Sequence, residues 1–329
     1  MPILAGDDPA ALQLAAQRLA AGELVAFPTE TVYGLGARAD DDASVGRIFA
    51  AKGRPSEHPL IVHVADAQAA AAFSRGLGPA ALRLIARFWP GPLTVIVPRR
   101  PGLAAAAAGG QDSIGLRLPA HPVARALLRE AARLGVAGVA APSANPFGRI
   151  SPTAAAHVAQ AFGPALMVLD GGDCEVGIES AIVDCTCEPP ALLRPGQLPR
   201  QALEAALGRA LARPGAASPR APGRLASHYA PSAPLHLLDA AALRHRLQSR
   251  RNPAPEAAEV VGVYSRLAVA GGPGLSVRSM PAEAAAAAHE LFSVLREFDA
   301  TGVAAIWVER PPPDPSWDGV RDRLQRAAR

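Results

Sequence analysis

The stretch PAALQLAAQRLAAGELVAFP, residues 9–28, decides the fold class that this sequence predicts. From Pro9 to Ala21 the apolar residues recur at helical spacing, and Leu24–Phe27 is a short apolar run that ends at a proline. A helix followed by a buried strand is the repeating unit of layered α/β proteins. We therefore expect a mixed α/β (α+β) fold.

The same alternation continues through the first 200 residues. Helices are predicted at 43–52, 79–88, 122–133 and 153–162, and strands at 60–64, 93–98, 114–118, 138–141, 166–169, 180–184 and 192–194. The late strands follow one another closely, which is typical of a mixed rather than an all-parallel sheet. Residues 1–205 are thus predicted to form a twisted mixed sheet with helices on its faces.

A change in composition marks a second domain. Ala, Pro, Gly, Ser and Arg dominate residues 212–234, which is typical of a semi-extended linker, and we place this linker at 206–233. Beyond it, strands at 235–238, 260–264 and 303–308 and helices near 240–250, 282–298 and 318–329 predict a smaller Rossmann-like α/β domain at 234–329. This domain has no glycine fingerprint, so we assign no nucleotide to it.

Composition excludes several classes of protein. The 329 residues are 50% hydrophobic and 19% charged, which is too apolar for intrinsic disorder. A net charge of +4 and 4% aromatic residues do not indicate a nucleic-acid-binding surface. The three cysteines lack the spacing of a disulfide framework or a zinc site. No apolar run reaches membrane-spanning length and no signal segment is visible, so we expect a soluble cytoplasmic protein without a membrane partner.

Lys52 is the only lysine among 33 basic residues, and the other 32 are arginines. Arginine replaces lysine wherever charge alone is required, but not where a compact, mobile ammonium is needed. Lys52 therefore stands out as a candidate functional residue. The sequence is also poor in Asn and Tyr. Asn145 and Tyr33 lie in polar segments, and Tyr229 lies in the linker.

Four polar segments lie where predicted strands end. They are PTETVYGLG (28–36), KGRPSEHPLIVHV (52–64), PSANPFGRIS (142–151) and GIESAIVD (177–184). Ligands of open α/β sheets bind outside strand ends, so we expect these segments to converge. Their cations and hydroxyls suit an anionic ligand that carries phosphates and a carboxylate.

Structural explanations compete with each of these assignments. Lys52 and Arg54 could only complement a helix dipole, and Ser143 and Asn145 could be ordinary turn formers. The two histidines of the second segment have no third metal ligand at suitable spacing. Arg117 is harder to explain, because a charge inside an apolar strand needs a partner and none is apparent nearby in the sequence.

Together, the ordered motifs resemble the YrdC/Sua5 family, the threonylcarbamoyl-AMP synthases. The matching pieces are FPTETVYGLG, KGRP followed by PLIVHV, WPGPLTVIV, GLRLP, APSANPFGRISPT, GIESAIVD and LLRPG. They span residues 7 to about 200, and HYAP (228–231) with the second domain resembles the Sua5 extension. The resemblance implies a YrdC-like first domain.

The resemblance also implies a reaction. L-threonine, bicarbonate and ATP would give L-threonylcarbamoyladenylate and pyrophosphate, with Mg²⁺ assisting. Partner enzymes, the tRNA threonylcarbamoyl transferase machinery, would then modify adenosine 37 of tRNAs, and tRNA itself is a possible partner. Two alternatives stay open: a carbamoyl-adenylating enzyme that uses another amine or carbamoyl phosphate, and a non-catalytic RNA-binding module.

Site residues are carried over by motif position. Lys52 and Arg54 would stabilise charge during catalysis, with no covalent nucleophile and no metal ligand on the protein. The residues assigned to ATP are Lys52, Arg54, His58, Ser113, Ser143, Asn145, Ser151, Arg194 and Tyr229, and those assigned to threonine are Thr31, His63, Arg117, Ala141 and Ser180. Tyr229 would close over the nucleotide, and His63 would act as a base or position threonine.

Two positions depart from the family pattern. Position 58 is His where the family usually has Asn, which leaves its contact with the nucleotide open. Position 181 is Ala where the family usually has Thr, which would remove a hydroxyl near the threonine site. We expect activity to persist, because neither departure touches the cationic residues.

Overall fold

The computed structural model describes residues 3–223, 225, 228–250 and 259–328. It consists of two compact units, Met1–Phe147 with Ser151–Arg224, and Gly148–Ile150 with Leu225–Arg329. The segment predicted as a linker is divided between the two units. Among the described residues, every helix is too short or too polar to cross a bilayer.

A mixed sheet forms the centre of the first unit. Its strands are β1 (Ile3–Ala5), β2 (Val25–Phe27), β3 (Gly34–Arg38), β4 (Ile61–His63), β5 (Leu93–Pro98), β6 (Ser113–Arg117), β7 (Val139–Ala140), β8 (Met167–Asp170), β9 (Ala181–Asp184) and β10 (Ala191–Arg194). Their order is β1-β8-β2-β3-β7-β4-β6-β5-β9-β10, with parallel and antiparallel neighbours. The predicted mixed α/β architecture is confirmed.

Seven helices accompany this sheet in the described part of the unit. They are α1 (Pro9–Ala20), α2 (Asp42–Lys52), α3 (Ala67–Phe73), α4 (Pro79–Phe88), α5 (Pro122–Arg133), α6 (Ala155–Phe162) and α7 (Arg200–Leu207). The predictions for α4 and α5 match the structure residue for residue. The sequence analysis missed α3 and α7.

Side-chain alternation gives the two faces of the sheet different chemistry. On β5, Leu93, Val95 and Val97 belong to the main hydrophobic core, whereas Ile96 joins a separate small cluster with Ile61 of β4. Because successive side chains of a strand point to opposite faces, residues such as Thr94 share the face of Ile96. This second face carries most of the predicted threonine site.

Strand β3 was interpreted as part of a polar loop, and the structure shows why. A Cβ at Gly36 would lie 2.8 Å from a ring carbon of Phe27 and 2.8 Å from a methyl group of Val139. The strand therefore needs glycine for close packing between its neighbours. Glycine in turn removes the alternating pattern by which a strand is recognised.

The second unit contains a four-stranded parallel sheet in the order β11-β14-β12-β13. The strands are β11 (Leu235–Leu238), β12 (Val261–Ser265), β13 (Leu275–Ser279) and β14 (Ala305–Glu309), and the helices are α8 (Ala240–Ser249), α9 (Ala284–Ala300) and α10 (Asp318–Ala327). The prediction of a small Rossmann-like unit is confirmed, although β13 was missed. Its side chains are only half-buried, so its pattern is weak.

Candidate active site

Lys52 is the last residue of α2, and its side chain is buried. The helix begins behind Asp41, whose carboxylate accepts from the backbone N–H of Ala43 at 3.0 Å, and it ends at Gly53, which has a φ of 61°. Lys52 is 4% exposed, and its Nζ donates to the carbonyl oxygens of Ser143, at 2.6 Å, and of Asn145. Burial, reinforced by the nearby Arg54 charge, lowers the pKa of Lys52 well below its usual range. In the part of the chain that the structure describes, Lys52 has no carboxylate ion-pair partner.

The loop after β7 provides those carbonyl groups. It is held against the start of β3, because Leu35 N donates to Pro142 O at 2.8 Å and Ala144 N donates to the O of Tyr33, the residue before the strand, at 2.8 Å. Asn145 is 1% exposed, so it is more than a surface turn former. Lys52 and the Ser143–Asn145 loop are thus brought together as predicted.

Arg54 and His58 both lie close to the Phe147 ring. Arg54 is 8% exposed, donates to Pro59 O at 3.0 Å, and has its guanidinium carbon 5.5 Å from the ring centroid of Phe147. The His58 ring lies 5.4 Å from the same centroid. Burial and the charge of Arg54 lower the pKa of His58, so the imidazole is neutral at pH 7.

Arg117 has a partner that the sequence did not reveal. It is 3% exposed, and its Nη2 forms an ion pair with Glu30 Oε1 at 2.7 Å. Its Nη1 donates to Thr31 Oγ1 at 2.9 Å and its Nε to Gly91 O at 3.3 Å. The buried guanidinium is therefore fixed by the PTET segment.

The PTET segment is itself internally bonded. Thr29 Oγ1 donates to Val32 O at 2.6 Å and lies 2.8 Å from Thr31 Oγ1, and Glu30 Oε2 accepts from the N–H of Ala120 at 3.1 Å. The segment thus holds Glu30 and Thr31 in place beside Arg117.

His63 lies beside Arg117 in the register of the parallel strands β4 and β6. It is 3% exposed, and its Nδ1 has no hydrogen-bond partner among the described residues. Burial, with the charge of Arg117, lowers the pKa of His63 to about 3. The imidazole is neutral at pH 7 and offers a hydrogen-bond acceptor. Ala141, also assigned to threonine, donates its N–H to Ile61 O at 2.9 Å.

Ser180 completes the part of the site nearest β9 and β10. Its Oγ lies 2.8 Å from Thr94 Oγ1, and the Arg194 guanidinium donates to Ser180 O at 3.1 and 2.9 Å and to Ser180 Oγ at 3.2 Å. Arg194 also donates to Pro222 O at 3.1 Å. Here Arg194 fixes the backbone that carries Ser180, and its contact with a nucleotide stays a prediction.

Ser113 and Ser151 occupy different surroundings. Ser113 lines a small cavity with Thr94, and Arg220 and Pro222 are also in its wall. Ser151 is fully buried, and its Oγ donates to Glu179 Oε1 at 2.5 Å.

Tyr229 belongs to the second unit. It has a φ of 63° and is 1% exposed, with its ring centroid 5.5 Å from that of Phe292 and 5.4 Å from the guanidinium carbon of Arg323. The ring is therefore a core side chain of that unit. Its closure over the nucleotide stays a prediction.

The structure corrects the expectation for position 181. Ala181 is fully buried and belongs to the main hydrophobic core, whereas the next residue, Ile182, joins the cluster on the opposite face. A hydroxyl at position 181 would therefore lie in the main core and not on the face of Ile182, where we predict most of the threonine site.

Sequence reasoning assigned no role to Glu30, Thr94 or Phe147. The one available signal for Glu30 was Arg117 itself, since a buried arginine requires a carboxylate somewhere in the fold. Which carboxylate supplies it depends on the strand order, which the motif spacing does not encode.

Comparisons with known proteins agree over both units. A family model for Sua5, YciO and YrdC, described as telomere recombination, matches residues 17–196, and one described as the C-terminal domain of threonylcarbamoyl-AMP synthase matches residues 198–329. The threonylcarbamoyl-AMP synthase of Pyrococcus abyssi is 37% identical, with 96% of this chain and 94% of the relative covered. That of Bacillus subtilis is 38% identical, with 99% and 94% covered.

A solved structure adds a ligand to the comparison. The crystal structure of P. abyssi Sua5 complexed with L-threonine matches with a TM-score of 0.86 and 36% identity, over 96% of this chain and 94% of that one.

Proposed function

The chain belongs to the Sua5 family of threonylcarbamoyl-AMP synthases and is a nucleotidyl-transferring enzyme, and from this premise we propose that it makes L-threonylcarbamoyladenylate and pyrophosphate from L-threonine, bicarbonate and ATP. One observation carries the proposal. The amino group of Lys52 is buried and held by carbonyl oxygens, with no carboxylate ion-pair partner in the described chain. Such a group is suited to an anion that arrives with the substrate.

The phosphate groups of ATP would bind at this end of the site. Lys52 and Arg54 would stabilise the negative charge that grows on the β- and γ-phosphates as pyrophosphate leaves. The other residues that we assign to the nucleotide are His58, Ser113, Ser143, Asn145, Ser151, Arg194 and Tyr229.

L-threonine would bind at the Arg117 end. Thr31 and His63 lie beside Arg117 and offer a hydroxyl group and a neutral imidazole, and we assign Ser180 and the backbone at Ala141 to the same ligand. The threonine complex of P. abyssi Sua5 supports a threonine site in this fold.

Positioning carries most of the proposed mechanism. The neutral amine of threonine forms a carbamate, either by adding to CO₂ with release of a proton to solvent or by reacting with bicarbonate with release of water. A carbamate oxygen then attacks the α-phosphorus while the bond to pyrophosphate breaks. His63, with a pKa of about 3, is too weak a base to remove the amine proton at pH 7. We therefore assign it to threonine binding.

Mg²⁺ would enter with ATP. The residues around Lys52 are cations, hydroxyls and an amide, and the described residues contain no cluster of three or more acidic, His or Cys side chains suited to a metal. These groups fit a phosphate-bound ion better than a resident one, because Mg²⁺ is commonly held through substrate phosphates.

The product would be used by the tRNA threonylcarbamoyl transferase machinery in the cytoplasm. Of the alternatives, an RNA-binding module is disfavoured because Lys52 and Arg117 are buried, whereas RNA is bound through exposed basic groups. An enzyme that uses carbamoyl phosphate shares the cationic site and has to be separated by experiment.

Pyrophosphate release tests the proposal directly. The purified chain is incubated with Mg-ATP and bicarbonate, with and without L-threonine, and separately with carbamoyl phosphate in place of bicarbonate. We expect release that requires both threonine and bicarbonate. Release that depends on carbamoyl phosphate would support the alternative enzyme, and binding of RNA without release in any mixture would contradict both enzymatic functions.

A further inference from the structure

The buried ion pair between Glu30 and Arg117 has a consequence for substrate choice. The side chains of Arg117 and Glu30 are 4% and 6% exposed, and their charged atoms lie 2.7 Å apart. Little solvent is available to screen any charge that enters beside them. The net charge of this buried group of side chains before a ligand binds therefore decides which ligands can bind beside it.

The titratable groups next to the pair carry no charge, and another buried cation of the predicted site, Arg194, donates to Ser180. His63 is neutral because its pKa is lowered to about 3, and His121 is neutral because burial lowers its pKa and its Nδ1 accepts from the N–H of Val123 at 3.2 Å. Burial raises the pKa of the Cys174 thiol, so it is also uncharged. Asp173 and Glu175 act on these groups from exposed positions, where water screens their charge.

An unpaired Arg117 would attract any small carboxylate, but Glu30 cancels that attraction. A ligand that carries only a carboxylate would bring an uncompensated negative charge into a buried site, which is strongly unfavourable. A ligand that carries a carboxylate together with an ammonium brings no net charge.

We propose that Glu30 is a specificity-determining residue, which makes the site accept a hydroxy acid only when it is an α-amino acid in its zwitterionic form. The inference rests on the proposed function and names the ionic form in which threonine binds. Glu30 would position Arg117 toward the ligand carboxylate and balance the charge of the ligand ammonium. In this role it acts before the amine loses its proton for carbamoylation.

Two ligands separate this role from a structural one. L-threonine has a carboxylate, an ammonium and a hydroxyl, whereas 3-hydroxybutanoate has the same carbon chain, carboxylate and hydroxyl without the ammonium. Calorimetry gives the Kd of each ligand for the intact wild-type chain and for Glu30→Gln, which keeps the side-chain size and removes the charge. Glu309→Gln is the matched control, because Glu309 is a buried carboxylate bonded to Ser265 and Arg266 in the second unit.

We expect the wild-type chain to bind L-threonine at least about 100-fold more tightly than 3-hydroxybutanoate. In Glu30→Gln the ratio should fall below about 10, with threonine binding weakened and 3-hydroxybutanoate binding strengthened. Glu309→Gln should keep the wild-type ratio. Glu30→Asp retains the charge and should keep most of the discrimination.

Equal weakening of both ligands in Glu30→Gln would overturn the inference and leave the proposed function standing. If that variant does not fold, the wild-type chain still decides, since binding of 3-hydroxybutanoate within tenfold of threonine overturns the inference. A wild-type chain that binds no threonine contradicts the proposed function itself, and the inference falls with it.

Discussion

Lys52 and Arg117 are equally buried basic residues of the same unit, yet they have different bonding partners. Arg117 is paired with Glu30, whereas Lys52 donates to the carbonyl oxygens of the Ser143–Asn145 loop. The Arg117 cation is thus balanced by a carboxylate before a ligand arrives, whereas Lys52 has no such carboxylate among the described residues. This difference suits the two substrates, since threonine is a zwitterion and ATP is a polyanion.

Removing the arginine of the balanced end should have the largest effect. Arg117→Ala leaves Glu30 as a buried carboxylate without its partner, which should lower the free energy of unfolding by about 3–5 kcal/mol. Urea denaturation of the two proteins measures this loss. Arg133→Ala, which breaks an exposed ion pair with Glu130, is the control and should cost less than about 1 kcal/mol. Equal losses in the two variants would contradict a stabilising role for the buried Arg117–Glu30 pair.

Removing the lysine of the unbalanced end should affect catalysis instead. Lys52→Ala should lower the rate of threonine-dependent pyrophosphate release about 10²–10³-fold, because charge on the leaving phosphates loses its stabilising group. The Kd of L-threonine should stay within about threefold of the wild-type value. Arg47→Ala, on the exposed side of the same helix, is the matched control and should keep normal turnover. Near-normal release by Lys52→Ala would rule out the assigned role of Lys52.

A substitution at position 181, next to Ser180, tests which side chains belong to the threonine site at the Arg117 end. Ala181→Thr adds a hydroxyl and a methyl group to the packed core on the opposite face, which should lower the free energy of unfolding by about 1–3 kcal/mol. The KM for threonine should not change. A KM that falls while stability is retained would place residue 181 at the threonine site after all.

The smallest expected effect is a change in proton binding at Lys52. Burial lowers its pKa in the free protein, and bound phosphates favour the charged ammonium and raise that pKa again. ATP binding should therefore take up a fraction of a proton, and ATP affinity should fall as pH rises through the lowered pKa. Calorimetry at a series of pH values, in two buffers with different heats of ionisation, measures the uptake. Lys52→Met should show none, and equal heats in both buffers for the wild-type chain would contradict the prediction.

Local sequence patterns predicted most elements of the fold. Helices α4 and α5 and strands β5 and β11 match the prediction at both ends, since each has clear periodicity and clear stop signals. The pattern failed at β3, where close packing requires Gly36, and at β13, whose side chains are half-buried. In both strands the alternation of apolar and polar residues is too weak to be read.

The sequence predicted which residues belong to the candidate site, but not which of them are paired. Lys52 stood out by its rarity, and the ordered motifs indicated the family to which the chain belongs. By itself, the sequence determined the alternating α/β architecture and the residue types of an anion site, because periodicity and motif order are properties of the chain. Tertiary structure alone decided that Glu30 neutralises Arg117, that carbonyl groups hold Lys52, and that Ala181 faces the core. These outcomes depend on strand order and on which face each side chain occupies, and residues far apart in the chain set both.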